Sequence, residues 1–99
     1  MLKKVMHDTD ILKYQFLKQI KQLPFVEKVI LFGSRARGIH RSRSDIDIAV
    51  VCPNATIAQW LQILDIVDNA DTLLTIDCVR FDTADTQLRD NILKDGVEI

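Results

Sequence analysis

Val29-Ile30-Leu31-Phe32-Gly33-Ser34 is separated by ten residues from Asp45-Ile46-Asp47-Ile48-Ala49-Val50, and these two stretches decide the fold. A short apolar run such as the one at residues 29–32 is typical of a buried strand. The glycine and serine at its end predict a turn that opens into a short helix or turn over residues 34–38. Backbone N–H groups point outward at such a turn, where they can bind an anion.

The two aspartates of the second stretch fall on the same face of their strand. Successive strand residues point to opposite sides of a sheet, so Asp45 and Asp47 share one side while the isoleucines between and after them take the other. Two close carboxylates repel each other unless one is protonated or a cation lies between them. Mg²⁺ prefers oxygen ligands of this kind, usually together with substrate phosphates. The pattern therefore predicts a site for a metal ion and a nucleotide.

The spacing of these residues resembles a known family signature. Gly33-Ser34, ten residues and then Asp45-x-Asp47 is similar to the active-site motif of the DNA polymerase β-like nucleotidyltransferase superfamily. The continuation Arg35-Ala36-Arg37-Gly38 and the serine before Asp45 resemble the minimal nucleotidyltransferases, which are often paired with HEPN-domain toxins in prokaryotes. The resemblance covers the order of elements from about residue 10 to residue 99.

The composition predicts one ordinary globular domain over residues 1–99. The net charge is −1, whereas binding along a nucleic acid favours a strongly basic chain, so no direct nucleic-acid partner is expected. The longest apolar runs have only strand length, so no membrane span is expected. Residues 1–8 contain too few apolar residues for a secretory signal. Cys52 and Cys78 lack metal-ligand spacing and are predicted to be reduced core cysteines of a cytoplasmic protein.

The first helix is predicted to follow an N-cap at Asp8 or Asp10 and to end at Pro24. Its apolar face would consist of Leu12, Phe16, Ile20 and Leu23.

A second long helix is predicted after a cap at Asn54 or Thr56. Trp60 in this helix and Phe16 in the first are expected to be core residues rather than platforms for a nucleobase. The apolar stripe of the second helix would comprise Ile57, Trp60, Leu61, Leu64 and Val67.

Strands are predicted at residues 27–32, 45–52 and 72–79, and a last helix at residues 83–94, with Gly96 near its C-cap. Residues 97–99 would add a short edge strand. The short connection between the first two strands favours an antiparallel pair, and the helix before the third strand favours a parallel one. The predicted fold class is α/β (α+β), a small mixed sheet with flanking helices, and the resemblance implies the nucleotidyltransferase fold.

A third carboxylate, Asp77, lies within an apolar strand pattern, where an unpaired buried charge would be costly. The resemblance implies that Asp77 is the third catalytic carboxylate, which binds metal and accepts the proton of the attacking hydroxyl. The alternatives are an aspartate that faces solvent or one that pairs with Arg80. Asp82 is the nearest competitor for the same role.

Ser34 and Gly33 are the predicted phosphate-binding residues at the turn, and Gly38 is expected to serve the turn geometry alone. The arginines that follow form a local basic cluster that could grip a triphosphate. Arg37 and Arg43 are the candidates for this role, and the alternative is a solvated loop whose charges bind nothing.

The resemblance implies Mg²⁺-dependent transfer of AMP from ATP to a hydroxyl, with two Mg²⁺ ions held by Asp45, Asp47 and Asp77. The catalytic core would account for nearly the whole chain, so a partner is expected to present the hydroxyl. The resemblance implies that this partner is a HEPN-type ribonuclease toxin, in a possible hetero-oligomer in which this chain is the antitoxin. Two alternatives remain open: a non-catalytic subunit that neutralises a toxin by binding it, and a nucleotidyltransferase for small molecules.

Overall fold

The computed structural model describes residues 14–38 and 45–99, and in this part of the chain helices alternate with the strands of one sheet. The elements in chain order are α1 (Gln15–Lys21), β1 (Lys28–Phe32), α2 (Gly33–Ala36), β2 (Ile46–Val51), α3 (Ile57–Asp68), β3 (Ile76–Arg80), a 3₁₀ turn (Phe81–Thr83), α4 (Thr86–Asp95) and β4 (Val97–Glu98).

The sheet is mixed, as the connection lengths predict. Its four strands lie in the order β3-β2-β1-β4. Strand β1 is antiparallel to both β2 and β4, whereas β2 and β3 are parallel and are joined through α3. As a result, the end of β1 lies beside the starts of β2 and β3 at one edge of the sheet.

Alternation along the strands divides the core between the two faces of the sheet. On one face, Val29, Leu31 and the even-numbered residues of β2 pack with buried residues of α1 and α3, including Phe16 and Ile63. On the other face, Ile30 and Ala49 pack against Ile92 of α4. Asp47 pairs with Phe32 in the register, so it lies on the face that α4 covers.

The predicted first helix is only partly within the described residues. Helix α1 follows Tyr14, whose backbone is extended, and ends at Lys21, before Pro24. Phe16 and Ile20 are buried as predicted, and Leu23 is partly buried against the same core. The proposed caps Asp8 and Asp10, and Leu12, lie outside the described residues, as do residues 1–8.

The cap of α3 is confirmed, but its predicted apolar stripe is partly wrong. Thr56 forms a capping box with Gln59. Trp60 and Val67 pack against the core as expected, yet the residue buried most completely is Ile63. Ile57 and Leu61 are 78% and 56% exposed. The face toward the sheet is centred on positions 60, 63 and 67, and Ile57 and Leu61 lie outside it.

Strand β3 is shorter than predicted, because residues 72–75 form a bend rather than a strand. The backbone N–H of Leu74 donates to the Thr72 hydroxyl, 3.1 Å away, which offers the backbone an alternative to strand pairing. Leu73 is fully exposed. The strand begins only at Ile76, beside Ile46.

The last helix also begins later than predicted. Asp85 is its N-cap and accepts a hydrogen bond from the N–H of Leu88 at 2.8 Å, and a 3₁₀ turn occupies the residues before it. Gly96 is the C-cap, but with a φ of −70° it does not adopt the left-handed conformation typical of glycine there. The short edge strand predicted after it is present as β4.

Cys52 and Cys78 are free thiols, the first buried and the second partly buried. Burial raises the pKa of the Cys78 thiol to about 12, so the protonated, less nucleophilic form predominates at neutral pH. Within residues 14–38 and 45–99, no helix combines the length and the hydrophobicity needed to cross a bilayer.

Candidate active site

The turn after β1 lies directly against Asp47. Gly33 has a φ of +72°, which side-chain-bearing residues rarely adopt. A Cβ at this position would overlap with Oδ2 of Asp47 and lie 3.2 Å from its Cγ. Only glycine satisfies both constraints, and its absence of a side chain brings the turn backbone into contact with the carboxylate.

Helix α2 positions the remaining residues of the predicted phosphate turn. Ser34 is partly buried in its first turn, Arg35 is buried, and Arg37 is exposed at the C-cap. Gly38 also has a φ of +72°, but nothing lies within 4 Å of a Cβ built there. Gly38 is therefore explained by conformation alone, as the sequence predicts. Arg43, the other predicted phosphate ligand, lies outside the described residues.

Asp47 and Asp77 form a carboxylate pair across the parallel strands. They are direct partners in the register of β2 and β3, so their side chains lie next to each other on the same face of the sheet. Burial raises the pKa of Asp47 from 3.8 to about 6, and the hydrogen bond with Asp77, the Asp77 charge and the Asp45 charge act in the same direction. The fold thus holds a carboxyl that keeps its proton to a higher pH than an ordinary aspartate, and a cation would relieve the same unfavourable charge.

Asp45 is exposed and immediately precedes β2. Its charge is the weakest of the effects on Asp47. Among the described residues, no three His, Cys, Asp or Glu side chains are grouped so as to hold a metal ion. The Asp47–Asp77 pair does fit Mg²⁺ in its chemistry, because it offers only oxygen donors and its like charges require neutralisation.

Asp77 occupies the predicted strand, and its side chain is exposed, as one of the alternatives left open by the sequence has it. The burial that its apolar neighbours in the sequence would suggest is absent. The physical reason is that β3 is an outer strand of the sheet. Asp77 therefore combines exposure to solvent with a position directly beside Asp47.

The two residues considered as alternatives near Asp77 have other contacts. Arg80 Nη2 donates to the carbonyl oxygens of Cys52 and Ala55 at 3.0 and 2.9 Å. Asp82 Oδ2 accepts from the N–H of Cys52 at 2.8 Å. Both residues therefore hold the turn between β2 and α3, at the end of β2 opposite Asp47.

A cavity of about 400 Å³ lies beside Asp45 and is lined by Leu73, Leu74 and Thr75. The sequence pattern did not predict this cavity, because residues 72–79 resemble one apolar strand in which Asp77 is the only charged residue. The signal available was the pair of threonines that flank the leucines, since a threonine hydroxyl can bond to nearby backbone and favour a bend.

Comparisons with known proteins bear on the family and the fold of the chain. The family model described as polymerase beta, nucleotidyltransferase matches residues 6–99. No curated protein sequence matches significantly.

Three solved structures share the fold. A variant of the toxin-antitoxin MntA-HpeT has 26% identity and a TM-score of 0.61, over 96% of this chain and 72% of that chain. A proposed nucleotidyltransferase from Sulfolobus solfataricus has 27% identity and a TM-score of 0.54, over 85% and 72% of the respective chains. A toxin-antitoxin structure with AMP-PNP has 22% identity and a TM-score of 0.65, over 85% and 69%.

Proposed function

Since the chain belongs to the polymerase beta nucleotidyltransferase family, we propose that it transfers AMP from ATP to a hydroxyl group on a protein partner and releases pyrophosphate. The observation that carries the proposal is the contact between Gly33 and Asp47, because it joins an anion-binding turn to a carboxylate pair. The match over residues 6–99 supports a single nucleotidyltransferase domain.

Gly33 and Ser34 are the proposed ligands of the β- and γ-phosphates of ATP. Gly33 would present its backbone N–H to the triphosphate, and Ser34 would add a hydroxyl and an N–H at the same turn. Arg37, exposed at the end of α2, would contribute positive charge to the phosphates, and Arg43 is proposed for the same role from the family resemblance.

Asp45, Asp47 and Asp77 are the proposed ligands of two Mg²⁺ ions. Bound there, Mg²⁺ would neutralise charge on the triphosphate and on the attacking and departing oxygens. Asp77 is the proposed acceptor of the hydroxyl proton, because its side chain is exposed and can reach an incoming substrate. Asp47 lies directly beside Asp77 in the register and would share the bound cation with it.

A toxin is the proposed protein partner. The 26% identity to a chain from a toxin-antitoxin pair supports a toxin partner. The resemblance to the minimal nucleotidyltransferases supports a ribonuclease toxin of the HEPN type, which AMP on its hydroxyl would silence. This chain would then act as the antitoxin, in a hetero-oligomer with its substrate.

The test is the intact mass of the protein encoded beside this gene, measured after incubation with this chain, ATP and Mg²⁺. We expect an increase of one or more AMP units with the wild type and none with Asp47→Asn. Glu27→Gln is the matched control, because it removes a carboxylate at the opposite end of the β1–β2 pair, where the Glu27 N–H donates to Val51. No mass change with the wild type would overturn adenylylation, and a stable complex without mass change would identify a neutraliser that acts by binding.

A further inference from the structure

The cavity beside Asp45 has a wall that is anchored to the carboxylate-bearing strand. The carbonyl oxygen of Thr75 accepts from the N–H of Ile46 at 2.9 Å, which ties the segment 73–75 to the residue after Asp45. Leu74 packs partly into the core, and Leu73 is fully exposed. One wall of the cavity is therefore formed by two leucines on a backbone-bonded segment, and the cavity adjoins the candidate active site at Asp45.

The order of the strands places this cavity opposite the phosphate turn. Gly33 and Ser34 continue β1, whereas segment 73–75 leads into β3, and β2 lies between these two strands. In phosphoryl transfer, the attacking and departing oxygens are roughly in line on opposite sides of phosphorus. With pyrophosphate leaving on the β1 side, the attacking hydroxyl comes from the β3 side, where Asp77 and the cavity lie.

We propose that this cavity receives an apolar side chain that neighbours the acceptor hydroxyl on a protein substrate, an inference that rests on the proposed function. The substrate oxygen forms a bond to the α-phosphorus of ATP, and the bond from that phosphorus to the departing pyrophosphate breaks. The hydroxyl proton passes to the Asp77 carboxylate. Leu73 contacts the substrate and determines its specificity, but it does not take part in these bond changes.

The two leucines in the cavity lining favour a substrate that carries an apolar side chain. Among the described residues the lining consists of Asp45, Leu73, Leu74 and Thr75, and the leucines supply the apolar surface that such a side chain would bury. A volume of about 400 Å³ is sufficient for one large side chain. Because Leu73 is exposed, its burial by a partner would also contribute favourable binding free energy at the reactive centre.

Leu73→Ser tests the proposal, and Leu61→Ser is its matched control. Both positions are exposed leucines, but Leu61 lies on α3, outside the cavity. The substrate is the protein encoded beside this gene, and the readouts are KM for that protein, KM for ATP, and kcat. We expect Leu73→Ser to raise KM for the protein about tenfold, with kcat and KM for ATP unchanged. Leu61→Ser should match the wild type.

Unchanged kinetics in Leu73→Ser would overturn this inference while leaving the proposed function in place. A rise in KM for ATP would also overturn it, since the cavity would then hold the nucleobase. An equal rise in KM for the protein in Leu61→Ser would overturn the inference and indicate that the docking surface lies on α3. If the wild type transfers no AMP to the neighbouring protein, the proposed function fails and this inference fails with it.

Discussion

At the scale of single residues, the site depends on the absence of a side chain at Gly33 and on the closeness of two carboxylates, Asp47 and Asp77. Gly33 leaves room for the Asp47 carboxylate, and Asp47 lies beside Asp77 in the register. Two such carboxylates stabilise a fold only when a proton or a cation neutralises them. The carboxylate pair is therefore a source of instability that a bound cation can relieve.

Replacing Gly33 with alanine should destabilise the protein more than replacing Gly38. Both glycines have a φ of +72°, so each alanine carries a conformational penalty of about 1 kcal/mol. Only Gly33→Ala also forces a Cβ against Asp47. Urea denaturation gives the loss in free energy of unfolding for each variant, and the difference between the two losses is the steric contribution. Equal losses would show that the Asp47 side chain moves aside without cost.

Asp47→Asn should stabilise the ligand-free protein near neutral pH, by about 1 kcal/mol after allowance for solvent screening. The pKa of Asp47 is raised from 3.8 to about 6, so between these values the folded state binds a proton that the unfolded state releases. The free energy of unfolding of the wild type should therefore fall as pH rises through this window. Asparagine removes that dependence.

The measurement is urea denaturation of the wild type, Asp47→Asn and Glu27→Gln at several pH values from about 4 to about 7.5. The control variant should retain the downward slope of the wild type. A wild-type stability that rises with pH across this interval would contradict the assignment of a raised pKa to Asp47.

At the scale of elements, the turn between β2 and α3 is held by side chains from the end of β3 and the 3₁₀ turn. Arg80 bonds to two carbonyl oxygens of this turn, and Asp82 bonds to the N–H of Cys52. These contacts set where β2 ends and α3 begins. They act at the end of the strand pair that is remote from Asp47.

Arg80→Met should lower the free energy of unfolding by about 1–3 kcal/mol, because it leaves the carbonyl oxygens of Cys52 and Ala55 without their donor. The AMP-transfer rate per folded molecule should stay close to that of the wild type. Thermal unfolding and transfer assays on the same samples check both statements. A variant that keeps its stability would show that water replaces the guanidinium without loss.

Element boundaries illustrate where sequence patterns stop being informative. Thr56 was predictable as a cap because its side chain and Gln59 act within one turn. The start of β3 was not, since Leu73 and Leu74 look like strand residues until the Thr72 hydroxyl bonds to the Leu74 N–H. Ile57 and Leu61 fit a helical repeat, but only the position of the sheet decides which side of α3 is covered.

At the scale of the whole molecule, the mixed sheet brings three separate stretches of chain to one edge. The antiparallel β1–β2 pair places Gly33 beside Asp47, and the parallel β2–β3 pair places Asp77 on its other side. The site therefore exists only in the folded state. Any ligand that neutralises it should stabilise the entire fold by mass action.

ATP with Mg²⁺ should raise the Tm of the wild type more at about pH 7.5 than at about pH 5. Below the raised pKa of Asp47, about 6, a proton competes with the cation for the carboxylate pair. Differential scanning fluorimetry with matched buffers provides the measurement. Asp47→Asn should lose most of the shift at both pH values, and a shift independent of pH in the wild type would contradict Mg²⁺ binding at this pair.

The fold class and the pairing directions of the strands could be predicted from the sequence, because they follow from alternation and connection length. The environment of each carboxylate required the folded structure. Asp77 is exposed on an outer strand yet lies beside Asp47, and a cavity with Leu73 and Leu74 in its lining lies at Asp45. Burial and the meeting of residues distant in sequence depend on how the strands are ordered, and no local pattern encodes that order.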